Sequence, residues 1–330
     1  MRAAYIEELG PADVIRYGEI AAPRPGPTDV LVDVLATTVN PVDTFVRSGL
    51  FPTHMDFPFV VSRDLVGRVA ETGPGVTGFR AGDRVWCNSL GHGGRQGAAA
   101  ERAVVAADRL YHLPHSVDPY AAVAVLHPAA TAYLALFVHG RLRVGETVLV
   151  AGGAGHVGSA LLTMAVRAGA RVLATAAARD AHYCAELGAA EVFDYRDPDL
   201  TERIRGAAPS GLDLYLDTAG VNDLETTVGL LARRSRVVLF AGAATRPVLP
   251  AGALYMNDRS VVGFVISHAT SAELAEAAAC INDLLRQDAL RSRGIEVFPL
   301  SAAADLHARM EKGELHGRRA VLRTDLTAGE

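Results

Sequence analysis

Residues 147–175, TVLVAGGAGHVGSALLTMAVRAGARVLAT, carry the most chemical information in the chain. Val148, Leu149 and Val150 form an apolar run suited to a strand buried on both faces. The run enters Ala151-Gly152-Gly153-Ala154-Gly155-His156-Val157-Gly158, where Gly153, Gly155 and Gly158 satisfy G-x-G-x-x-G. Beyond it Val157, Ala160, Leu161, Met164, Ala165 and Ala168 recur at helical spacing, and Gly169 is a stop signal. A strand pattern resumes at Arg171. Strand, glycine turn, helix and strand in this order form the βαβ context in which such a turn cradles a pyrophosphate. Backbone N–H groups approach the phosphates, and the positive end of the helix faces them. The same glycines in an ordinary strand–helix turn are the alternative.

The chain has 330 residues, half of them hydrophobic, enough for two domains with sizeable cores. A net charge of −5 without a basic cluster gives no footprint for nucleic acid. No apolar run reads as a membrane span, and MRAAYIEELG lacks a secretory h-region, so a soluble cytoplasmic protein is expected. Cys87, Cys184 and Cys280 are widely spaced and include no C-x-x-C, against a disulfide framework or structural zinc. Lys312 is the only lysine, so phosphate recognition falls to arginine, backbone N–H groups and hydroxyls.

Residues 1–120 read as a β-rich domain of short apolar stretches separated by proline and glycine turns. An alanine-rich helix follows at 120–136, then strands at 147–151, 171–175, 191–194, 213–217, 236–241 and 261–266 with helical patterns between most of them. Six such strands predict an α/β fold with a doubly wound parallel sheet. Ser271 reads as the N-cap of a helix over 271–291, and residues 267–330 return to the first domain. The tail after Arg323 is expected to fray.

Several motifs outside the glycine turn agree with one another. Pro23-Arg24-Pro25-Gly26-Pro27 precedes Asp29-Val30-Leu31-Val32, and Asn40-Pro41-Val42-Asp43 with Arg47-Ser48-Gly49 follows. The turn and strand over 73–85, Thr131-Ala132-Tyr133 and the glycine turn complete the set. Together they resemble the medium-chain dehydrogenase/reductase superfamily, and within it the zinc-free quinone oxidoreductases. The resemblance implies a Rossmann NADP-binding domain (121–266) inserted in a GroES-like substrate domain (1–120 and 267–330), with the active site in the cleft. It implies NADPH as hydride donor, a quinone or other conjugated carbonyl as acceptor, and a homodimer joined through the edge strand 261–266. An NADPH-dependent 2-alkenal or enone (C=C) reductase, or a non-catalytic NADPH-binding protein of the same fold, are the alternatives.

Zinc-bearing members carry a Cys early in the first domain and a His-Glu pair after it. Those positions fall here in Asn40-Pro41-Val42-Asp43 and Ser62-Arg63-Asp64-Leu65, so no metal site is expected. On the cofactor side, Gly153, Gly155, His156, Val157 and Gly158 form the phosphate turn. The second strand reaches Ala176-Ala177-Ala178-Arg179 with no carboxylate before Asp180, so Arg179 suits a 2′-phosphate rather than NAD. By resemblance Tyr195 packs beside the adenosine, Arg318 approaches the cofactor, and Thr131, Phe240, Gly242 and Phe264 lie by the nicotinamide. Core packing is the alternative for each aromatic. The catalytic candidates are Asn40, Asp43 and Arg47, with Phe45, Leu50, Phe51 and Trp86 in the pocket wall. Asn40 would either donate its amide to the acceptor oxygen or hold the turn before Pro41. Phe45 replaces a tyrosine common in the branch, which removes a phenolic proton donor and points to water. His92 and His127 are further acid candidates, without a visible orienting partner.

Overall fold

The computed structural model describes residues 1–324. The tail expected to fray lies beyond them, apart from Thr324. The chain forms two compact units, one of residues 1–127 and the segment from Thr270 onward, the other of residues 128–269.

In the first unit Asp29–Thr38 is the central strand. It pairs antiparallel with Leu65–Thr72, Arg102–Ala106 and the C-terminal strand Arg319–Arg323. Ile295–Pro299 adds to the last of these in parallel, so the C-terminal segment completes the sheet that the N-terminal segment begins. Val30, Val32, Val34, Leu65, Val69 and Val85 fill its core. A second, three-stranded sheet joins Arg16–Glu19, Arg2–Ile6 and Phe59–Val60. Against it pack Val46 of the helix Pro41–Ser48 and Leu306 of the helix Ala303–Glu311.

The second unit is a six-stranded parallel sheet. Its order is Glu191–Asp194, Arg171–Ala176, Thr147–Ala151, Leu212–Asp217, Leu231–Leu239, Ser260–Gly263. The winding reverses between Thr147–Ala151 and Leu212–Asp217, and at this switch point open α/β sheets bind ligands. The helix His156–Arg167 presses Leu161, Leu162, Met164 and Ala165 against the sheet. Arg236 ties the loops at the opposite end. It hydrogen-bonds Glu146 (2.6 and 2.8 Å), Asp213 O (3.0 Å) and Arg141 O (3.0 Å).

Several boundaries differ from the sequence reading. The strand expected at 236–241 is Leu231–Leu239, and the edge strand expected at 261–266 is the shorter Ser260–Gly263. Thr270, not Ser271, caps the following helix: its hydroxyl accepts Glu273 N (3.2 Å) while the Glu273 carboxylate accepts Thr270 N (2.8 Å). The helix Pro119–Tyr133 continues through a π-turn over Leu134–His139. The whole segment is long and apolar enough to cross a membrane, contrary to the sequence reading. It is mostly buried, the profile of a core helix.

His307, on the helix Ala303–Glu311, has both ring nitrogens buried without a partner. Burial, and then the Arg47 guanidinium, push its pKa from 6.5 to about 3. A folded-state value below the unfolded one gives stability that is present above pH 6.5 and is lost as pH falls. Its slope approaches 1.4 kcal/mol per pH unit. Denaturant unfolding of wild type and His307→Leu from pH 7 to pH 5 should show that extra slope only in wild type. Identical slopes would contradict the assignment.

Candidate functional site

The strand Thr147–Ala151 ends at Gly152, whose φ of 81° only glycine adopts readily. Gly152 N and Gly153 N both donate to Thr175 O (3.1 and 2.9 Å), locking the turn to the neighbouring strand. The helix starts at His156 with Gly155 as its N-cap. A Cβ at Gly158 would stand 2.2 Å from Gly152 O, so the first helical turn rests directly on the loop. The backbone N–H groups of His156, Val157 and Gly158 belong to this first turn, where no intrahelical acceptor exists. Such an end binds anions.

The loop after Leu212–Asp217 is stitched to this turn. Thr218 Oγ1 donates to Ala151 O (2.7 Å). The buried Asp217 carboxylate accepts Ala219 N and Gly220 N (both 2.8 Å) and Asn222 N (2.7 Å). Asn222 Nδ2 reaches Ala241 O (3.0 Å) and Thr245 Oγ1 (2.7 Å). A Cβ at Gly242 would lie 2.3 Å from Gly220 O, so its lack of a side chain lets the two loops touch. Sequence reasoning missed Asp217, Thr218 and Asn222. The signal was Asp-Thr-Ala-Gly-x-Asn at a strand end.

Arg179 lies in the turn just past Arg171–Ala176, 75% exposed, with Nε 3.9 Å from Asp180 Oδ2. Tyr195, half exposed, donates its backbone N–H to Ala176 O (3.2 Å), and Arg196 stands 5.0 Å from its ring centroid. Arg179 and Tyr195 therefore flank one strand end of the sheet that carries the glycine turn. Phe264 stacks on His139 at 4.4 Å and tilts against Phe240 at 5.4 Å, so both aromatics pack within this unit. Thr131 is buried in the last turn of the helix Pro119–Tyr133, before the chain passes into Leu134–His139.

In the first unit Asn40 caps the helix Pro41–Ser48, and its backbone N–H donates to Asp43 Oδ2 (2.7 Å). Asp43 pairs with Arg63 at 3.3 Å, and Asp64 faces Arg319 at 3.6 Å. Arg319 also donates to Thr38 Oγ1 (2.8 Å) and Asn40 Oδ1 (2.5 Å). All six side chains are buried, two carboxylates against two guanidiniums. Burial raises the Asp43 pKa to about 6 against the pull of Arg63. Burial likewise raises that of Asp64 against Arg319.

This packing corrects four expectations. Asn40 Nδ2 is engaged by Asp64 (3.3 Å) and Thr38 (3.4 Å), so its amide serves the cluster rather than an acceptor oxygen. Arg47 is buried and bonded to Gly10 O (3.0 Å) and Glu311, a tie between segments rather than a catalytic group. Trp86 is sealed in the core, with Nε1 on Asn282 Oδ1 (3.0 Å) and its ring 4.8 Å from that of Tyr111. His127 is held neutral by burial and by Arg63 and Arg319, which removes it as an acid. Phe45 and Phe51 are half-buried, Phe51 lying 5.4 Å from the His92 ring, and Leu50 is exposed. Arg318 is exposed and pairs with Glu296 (2.6 Å).

Comparison with known proteins places these features. An alcohol dehydrogenase GroES-like domain model matches residues 26–115, and a zinc-binding dehydrogenase model matches residues 157–283. The quinone oxidoreductase of Mus musculus is 30% identical over 312 residues, 93% of each chain. The quinone oxidoreductase structure from Pseudomonas syringae pv. tomato DC3000 superposes with a TM-score of 0.86 at 26% identity, covering 98% of this chain and 99% of that one. A mycobacterial structure complexed with NADPH gives 0.85 at 28% identity, with coverage of 98% and 99%. Shared identity over nearly the whole length settles the assignment: the chain belongs to the quinone oxidoreductase branch of the medium-chain dehydrogenase/reductase superfamily.

Proposed function

We propose that this protein is an NADPH-dependent reductase that sends hydride to a quinone or another conjugated carbonyl without zinc. The observation that carries it is the glycine turn at the switch point, with Arg179 at the next strand end and no carboxylate between Ala176 and Arg179. The NADPH-complexed mycobacterial relative supports the cofactor. The N–H groups of 156–158 would hold the pyrophosphate, Arg179 the 2′-phosphate and Tyr195 the adenosine. When bound, NADPH supplies the hydride, and the acceptor takes up one proton.

Neither Asn40 nor His127 fits the proton donor's part, since one is engaged by the cluster and the other is neutral. Phe45 has no hydroxyl. Water is therefore the proton source in this reading.

The donor set speaks against zinc. Among the described residues no three His, Cys, Asp or Glu side chains gather to hold a metal. Asp43 and Asp64 instead face Arg63 and Arg319, whose charges would repel a divalent cation. We also place a second copy of this chain on the edge strand Ser260–Gly263, where Val248, Leu249, Tyr255 and Met256 are exposed in the preceding segment. Light scattering should then give about twice the chain mass at micromolar concentration, and a monomer would contradict it.

NADPH oxidation with phenanthrenequinone, naphthoquinone and 2-alkenals tests the chemistry. Turnover with at least one, unchanged after exhaustive chelation, is expected. No consumption with any of them would overturn the reductase reading, and loss of rate on chelation would overturn its independence of zinc.

A further inference from the structure

The turn after the strand Glu191–Asp194 carries Arg196, a cation with no carboxylate partner among the described residues. Tyr195 N donates to Ala176 O (3.2 Å), which ties this turn to the strand end just before Arg179. The backbone of the turn is fixed from within. Asp194 Oδ1 accepts Arg196 N (3.0 Å), Asp197 N donates to Asp194 O (3.0 Å), and Leu200 N donates to Asp197 O (3.1 Å). The Asp197 carboxylate is taken by Asp199 N (2.9 Å) and by the Arg203 guanidinium. The nearest acids in sequence are thus engaged by other donors.

The Arg196 guanidinium lies over the Tyr195 ring instead, its carbon 5.0 Å from the ring centroid. A cation within about 6 Å of a ring centroid is attracted by the negative face of the aromatic quadrupole. A tyrosine in a surface turn otherwise swings among its rotamers, and ordering it on binding costs side-chain entropy. With Arg196 seated on one face, much of that ordering is done beforehand, and the opposite face is the one left for a ligand. Tyr195 is 51% exposed, so the ring is not closed off on both sides. A flat aromatic base is the partner that such a face accepts by stacking.

We propose that Arg196 is a positioning residue for the cofactor: it backs the Tyr195 ring so that the adenine of NADPH stacks on the other face. It acts through the ring and does not touch the 2′-phosphate. This inference rests on the NADPH reading and names how the adenosine end is held. Arg179 and Arg196 then have separate parts, one reading the phosphate and the other ordering the platform for the base.

Calorimetric titration of NADPH against Arg196→Ala, Tyr195→Phe, Tyr195→Leu and the two double variants tests it, with thermal midpoints as the check on folding. Arg196→Ala is expected to weaken NADPH binding about threefold at an unchanged midpoint, the scale of one exposed cation–π contact. The loss should recur in the Tyr195→Phe background, which keeps the ring, and vanish in the Tyr195→Leu background. The same loss in the Tyr195→Leu background would overturn the proposal, because the guanidinium would then act without the ring. Wild type that binds no NADPH would overturn the cofactor reading and this inference with it. Tight binding to wild type that Arg196→Ala leaves unaltered would sink this inference alone.

Discussion

The contact between Gly158 and Gly152 O is the constraint on which the second unit depends. With 2.2 Å between that oxygen and an imagined Cβ, the helix His156–Arg167 can lie on the strand turn only if position 158 carries no side chain. This contact sets the helix end beside the strand end. Thr175 O fixes the turn from one side, and Thr218 fixes it from the other. A dinucleotide needs backbone N–H groups held open, and the cost of ordering them is met during folding rather than during binding.

The first unit solves a different electrostatic problem. Four buried charges are stable only as a balanced set, and the strand Arg319–Arg323 brings the last of them from the far end of the chain. Arg319 therefore links the C-terminal strand to the cap of the helix Pro41–Ser48. Removing one partner of such a set costs more than its net contribution, because the other charge stays buried and unpaired.

Much of this was legible beforehand because local patterns decide it. The βαβ signal around Gly153–Gly158 and the six strand runs specify the sheet without reference to distant residues. The glycine turn, Arg179 and Tyr195 could be placed at strand ends from spacing alone. What escaped was set by pairing at long range. Asn40 reads equally well as an exposed amide or a buried cap, and only the arrival of Arg319, 279 residues later, decides between them. Trp86 reads as a pocket aromatic until Asn282 and Tyr111 close over it. Arg318 and Arg319 are adjacent in sequence, but strand alternation sends one to the surface and the other into the charge cluster. The capping box at Thr270 was missed by a single residue, because both Thr270 and Ser271 satisfy the local preference.

The central claim is that this turn holds NADPH, with Arg179 reading its 2′-phosphate. Calorimetric titration of NADPH and NADH against wild type and Arg179→Gln tests it most directly. Wild type should favour NADPH, and the variant should lose about tenfold or more of that preference, the worth of one charge-assisted hydrogen bond. Equal affinity for the two cofactors in wild type, or an unchanged preference in the variant, would contradict the account.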